Sequence, residues 1–286
     1  MGTVRQAKAT KRKKTSQVSY QPRFKEAGKY AVYVSYQSLP KSVSDAKYIV
    51  YHKGEATEFS VNQRMGGGTW VYLGTFDFDK GCNEFNRVVC TNKASRRGVV
   101  TTDAVRFGGG MGNIERGGYT SGLPRCLEGA RYYAQWAGAP YKVYGGRKGE
   151  NDYADDINTR ALMTNWLGGG SVYMPAKNGK HVPIELSLAL HSDAGYNKDG
   201  KSTVGALAIC TTDYNDGILN SGISRFTSKD FARALRDNLV TDLTAQFGEF
   251  GKRYLWDRNY SETRLPEVPS AILEMLSHQN FPCLLY

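Results

Sequence analysis

Six short runs of β-branched and aromatic residues, separated by turn residues, occupy positions 28 to 108 and commit that part of the chain to β-structure. They are Tyr30-Ala-Val-Tyr-Val-Ser-Tyr36, Ala46-Lys-Tyr-Ile-Val-Tyr-His52, Thr57-Glu-Phe-Ser-Val61, Thr69-Trp-Val-Tyr-Leu73, Asn86-Arg-Val-Val-Cys90 and Gly98 to Phe107. Gly66-Gly-Gly68 and Asp79-Lys-Gly81 punctuate them. Strands this short and this regularly spaced predict a β-sandwich.

After Gly108-Gly-Gly110 helix and strand signals alternate. Helical spacing covers Leu127 to Trp136 and Asp155 to Leu167, and Tyr141-Lys-Val-Tyr144 reads as a short strand. Ile184 to Leu190 and Val204 to Ile209 read as strands. A long amphipathic helix is expected from Thr227-Ser228 to Phe247-Gly248, and Arg253 to Trp256 and Ser270 to Leu276 complete the alternation. The expected fold class is mixed α and β: a β-sandwich module followed by a layered α/β domain.

The net charge of +11 suggests an anionic partner, but Lys8, Lys11, Arg12, Lys13 and Lys14 crowd a run without apolar periodicity. That run reads as a solvated arm, so residues 1–20 are expected to be a disordered basic tail. No stripe of cations interleaved with aromatics continues beyond it, which argues against nucleic acid as a partner. No apolar stretch reaches membrane-spanning length, and no secretion signal follows Met1. The five cysteines are odd in number and contain no CxxC pair, so neither a disulfide framework nor a cysteine metal site is indicated.

Two residues stand out for chemistry. His191 follows the strand Ile184 to Leu190, on the face of Glu185, Ser187 and Ala189 and opposite the leucines, with the small-residue turn Ser192-Asp-Ala-Gly195 after it. By itself it is either a ligand or an ordinary hydrogen-bonded histidine. Glu274 interrupts Ala271-Ile-Leu-Glu-Met-Leu276, where a carboxylate is costly unless it is paired, bound to metal or used in chemistry. A salt bridge to Arg253 or Arg264 would satisfy it equally well. His52, His181 and His278 read as structural or solvent-facing.

The segments Asp155-Asp-Ile-Asn-Thr-Arg160, Leu186 to Gly195 and Pro266 to Asn280 resemble zinc-dependent N-acetylmuramoyl-L-alanine amidases. That resemblance implies His191 as a zinc ligand and Glu274 as the catalytic residue, with Asp193 and Arg160 in support. The β-rich segments Tyr30 to Tyr36, Phe59-Ser-Val-Asn-Gln63, Gly67 to Thr75 and Thr102 to Phe107 resemble the golvesin C-terminal-like domain, found in Bacteroidetes-type proteins that bear the name xanthan lyase. The implied division is a tail at 1–20, a golvesin C-terminal-like sandwich at 21–110 and a partial amidase-like domain at 111–286.

The earlier His of the amidase pattern, set in a Gly-His-Gly context, has no counterpart here, and the family's acidic ligand is missing too. The reading is therefore a fragment with an incomplete site that holds zinc weakly or not at all. Its expected partner is peptidoglycan or another cell-surface glycan, and its expected location is the periplasm, the cell surface or the medium. An alternative is a non-catalytic glycan-binding or adhesion protein in which Trp70, Tyr72 and Tyr36 contact sugars. A third is a polysaccharide lyase of the xanthan lyase type.

Overall fold

The computed structural model describes residues 4–12, 16–108, 115–116, 118–123, 125–195, 197–199, 201–281 and 283. Lys13, Lys14 and Gly109-Gly110 lie outside these. The chain divides into two compact units, Met1–Pro140 and Tyr141–Tyr286.

In unit 1 the strands are β1 (Arg5–Lys8), β2 (Gln17–Tyr20), β3 (Gly28–Ser35), β4 (Ala46–His52), β5 (Glu55–Val61), β6 (Val71–Phe78), β7 (Asn86–Thr91), β8 (Val99–Thr102) and β9 (Ala104–Phe107). Two two-residue strands, β10 (Glu115–Arg116) and β11 (Tyr119–Thr120), and helix α1 (Ala130–Trp136) follow. The main sheets run β2-β7-β4-β5 and β6-β3-β9, with antiparallel neighbours throughout. Both feed one hydrophobic cluster, with Val32 and Val34 from β3, Tyr48 and Val50 from β4, Phe78 from β6 and Val88 from β7. Turn chemistry sets the β4–β5 register. Lys53 and Gly54 both have positive φ, 43° and 85°, the two-residue turn whose twist matches the flanking strands, and it places His52 opposite Glu55.

Where it is described, the N-terminal segment is not a free arm. β1 pairs antiparallel with β8, Thr10 bridges Lys93, and β2 pairs with β7. The charge run misleads because this order comes from backbone pairing: the side chains of Arg5, Gln6 and Lys8 remain exposed. The unit also extends past 110. Trp136 of α1 packs edge-on to Tyr33 at 4.5 Å, which brings α1 into this unit and moves the boundary to Pro140.

Unit 2 contains α2 (Tyr141–Tyr144), α3 (Asp152–Gly168), β12 (Ser187–Asp193), β13 (Ala206–Cys210), α4 (Phe226–Phe247), β14 (Lys252–Asp257), α5 (Ser261–Arg264) and β15 (Ser270–Ser277). Tyr141 to Tyr144 is a helical turn rather than the expected strand. Helical spacing brings the Tyr141 and Tyr144 rings together at 5.5 Å, a contact that strand alternation would forbid. Asn151 caps α3 by accepting from the Ala154 N–H at 2.9 Å, and α4 stops where Gly248 adopts φ 92°.

The sheet order is β12-β15-β13-β14, with β12 parallel to β15, β13 parallel to β14 and β13 antiparallel to β15. α4 covers one face of the sheet, burying Ala208, Cys210, Ala271 and Leu273 beneath Phe231, Leu235 and Leu239. The opposite face carries Leu207, Ile209 and Ile272 with Ala189 and Trp256. β12 is an edge strand, and its leucine face is exposed: Leu188 is 43% and Leu190 60% accessible. α4 packs on β13, β14 and β15, which leaves the leucines of the edge strand uncovered.

Candidate functional site

The parallel register of β12 and β15 sets His191 opposite Glu274 on the face away from α4. The ring Nδ1 lies 3.5 Å from Glu274 Oε1, and Nε2 lies 2.9 Å from Glu262 Oε2 on the short helix α5. Arg160 of α3 reaches Glu262 at 3.1 Å and Asp156 at 3.3 Å. Asp193, two residues after His191 on β12, pairs with Arg253 and also accepts from the N–H groups of Ala194 and Gly195. The four sequence-derived candidates His191, Glu274, Arg160 and Asp193 thus line one pocket of about 690 Å³. Arg253 pairs with Asp193 and not with Glu274, whose partner is His191.

Charge pairing sets the protonation of the cluster. Hydrogen bonds to Glu262 and then Glu274 raise the His191 pKa to about 9, against the opposing effect of burial. Burial works against the charge on Glu262, yet its bonds from His191 and Arg160 hold the carboxyl below its usual range. Asp193 behaves likewise: burial is outweighed by Arg253 and two backbone donors. Glu274 Oε2 is buried and has no hydrogen-bond partner.

Both ring nitrogens of His191 are engaged by carboxylates, Nε2 by Glu262 and Nδ1 by Glu274. Among the described residues no group of three or more His, Cys, Asp or Glu is placed to hold a metal ion.

The pocket also has an aromatic wall that sequence reasoning did not find. Trp256 lies 5.9 Å from the Tyr254 ring and 6.2 Å from the Tyr260 ring, with Tyr254 and Tyr260 well exposed. Alternation along β14 gave the available signal, since Tyr254 and Trp256 share a strand face. Glu262 left no such trace, because α5 is a polar four-residue turn.

The candidates in unit 1 fare differently. Tyr36 is a core residue at 3% exposure, and its hydroxyl donates to Met65 O at 2.8 Å, so its ring is closed to a ligand. Trp70 packs toward Trp136, with the rings 6.3 Å apart, in a cluster that includes Tyr33. Tyr72 is half exposed, with its hydroxyl bonded to Thr75. His52 bonds Thr57, His181 lies 2.9 Å from Gly170 O, and His278 lies 3.0 Å from Ser192 Oγ, which are structural roles.

The β-module has known relatives. Residues 2–109 match the Golvesin C-terminal domain. The matched span takes in the segment expected to be a tail. The chain is 34% identical over 97 residues to a xanthan lyase of Bacillus sp. (strain GL1), which covers 33% of this chain and 10% of that relative. It is also similar, at 27% identity and a TM-score of 0.30, to a solved Paenibacillus xanthan lyase, over 32% of this chain and 8% of the other. The chain therefore spans a small fraction of either relative's length. The Golvesin C-terminal domain match ends before unit 2, and neither these relatives nor the fold shows an amidase domain there.

Proposed function

We propose that this protein binds glycans outside the cytoplasm and that the pocket of unit 2 receives the saccharide. The observation that carries this reading is the pairing of an exposed aromatic wall, Trp256 with Tyr254 and Tyr260, with a floor of fixed charges, Arg160, Arg253, Glu262 and Glu274. Sugar rings present apolar faces that pack on aromatic planes and hydroxyls that bond to charged groups held in place. The module shared with proteins named for xanthan supports a glycan as partner. A location at the cell surface or in the medium follows from such a partner. No helix among the described residues is long and apolar enough to cross a membrane. In pull-downs with peptidoglycan sacculi, Trp256→Ala is expected to weaken retention by about tenfold, as loss of a central aromatic anchor does. Undiminished retention would reject the pocket as the binding site.

A second reading is favoured by Glu274 and His191 standing side by side on the pocket lining. The Glu274 carboxylate can take a proton from water attacking an amide or glycosidic bond, while His191, protonated, can donate to the leaving group. On this reading Glu274→Gln abolishes release of soluble fragments from sacculi but leaves binding intact. Fragment release that persists in Glu274→Gln rules the reading out.

A further inference from the structure

A separate concavity lies in unit 1. It has a volume of about 830 Å³ and is lined by Lys8, Ala9, Thr10, Lys11, Arg12, Arg96 and Arg97. Five of these seven residues are cations and none is an acid. Backbone bonds build the wall, Ala9 N–H donating to Gly98 O at 2.9 Å and Ala94 N–H to Thr10 O at 3.0 Å, and the Asn92 side-chain amide Nδ2 adds a bond to Lys8 O at 2.8 Å. The two cation-bearing segments are therefore tied together by main chain, and their charges converge whatever their mutual repulsion. All five side chains are exposed, and among the described residues none forms an ion pair with a carboxylate. Asp45, which accepts from Ser95 N–H, is within electrostatic reach of Arg96 from outside the cleft lining.

Like charges held together without counter-charges raise the free energy of the folded state, and a bound polyanion removes that cost. We infer that this cleft binds the acidic groups of a carboxylate-bearing polysaccharide, so that unit 1 selects anionic glycans. The inference rests on the glycan reading above and deepens it. The glycan reading above names the polyanion as a polysaccharide, and no aromatic side chain lines the cleft to stack the bases of a single nucleic-acid strand.

The test uses the full chain, immobilised polygalacturonate as a uronate polymer, duplex DNA as a competitor, and sacculi as the probe of the unit 2 pocket. Polygalacturonate binding is expected to weaken steeply between about 50 and 300 mM NaCl, and to fall roughly tenfold or more in the triple variant Lys11→Gln, Arg96→Gln, Arg97→Gln. All three sites are exposed, and a cooperative melt at or above the unsubstituted protein's temperature verifies folding of the variant. Sacculus retention that depends on Trp256 but does not respond to the triple variant is the expected companion result. Polygalacturonate binding unaffected by the triple variant, or absent altogether, overturns the inference and leaves the pocket reading standing. DNA that outcompetes polygalacturonate at equal charge also overturns it, in favour of a nucleic-acid cleft. Retention indifferent to Trp256→Ala, with polygalacturonate binding still lost in the triple variant, sinks the pocket reading and supports the cleft.

Discussion

His191 sits where two carboxylates and an arginine compete for the same few ångströms, and the outcome is an imidazole that favours its charged form. Its pKa, raised from the ordinary 6.5 to about 9, ties stability to pH in a defined direction. The native state binds the proton more tightly than the unfolded chain. The contribution is therefore complete below about pH 6.5 and is lost as pH climbs through about 9. Urea unfolding is expected to show a loss on the order of 1 kcal/mol across that window, moderated because the side chain is partly solvated. His191→Gln should flatten most of this dependence, and a slope that survives the substitution would assign it to another group. The same residue shows what local sequence can reveal. Strand alternation put His191 and the leucines on opposite faces, as observed. Its neighbour Glu262, with no periodic signal around it, reaches the ring only through the packing of α5 against β15.

At the scale of elements, the start of β13 is the tightest joint in unit 2. Gly205 has φ 79°, and a Cβ there would stand 2.3 Å from Gly251 O, the carbonyl that accepts from Ala206 N–H. Gly222 has a similar φ of 86° but open space where a Cβ would go. Gly222→Ala is expected to cost about 1 kcal/mol from backbone strain alone. Gly205→Ala should cost at least about 2 kcal/mol, because β13 and β14 must also move apart. Thermal melts of the two variants give the comparison, and equal losses would mean that the close approach is unimportant. Elements with their own chemistry were readable in this way. The long helix ends at its glycine. α2 was not readable, because Tyr-Lys-Val-Tyr fits a strand or a helical turn equally until its rings are seen to touch.

For the molecule as a whole, the sequence revealed most where burial imposes a period. The strands of unit 1 are legible because Tyr48, Val50, Val88 and their neighbours must alternate to fill one core. The domain boundary was not legible. Gly108-Gly-Gly110 looks like a border, while the contacts that extend unit 1 to Pro140 gather around Trp136, which meets Tyr33 and Trp70 far away in sequence, with Thr69 Oγ1 donating to Ala137 O. The basic segment was misread for a related reason. Its charges are conspicuous, and its order resides in main-chain pairing that composition does not record.

The register of β12 against β15 has one more implication. His191 and Glu274 face each other because the ladder of backbone bonds counts residues in both strands, so their separation belongs to the backbone and not to either side chain. Point changes at either position would swap the functional group while leaving the bracket that holds it intact, allowing lineages to try new chemistry cheaply. Gain or loss of one residue within either strand would turn that strand's member of the pair toward the α4 side and erase the site at once. Descent at this site is therefore expected to proceed by replacement of letters and almost never by changes in length.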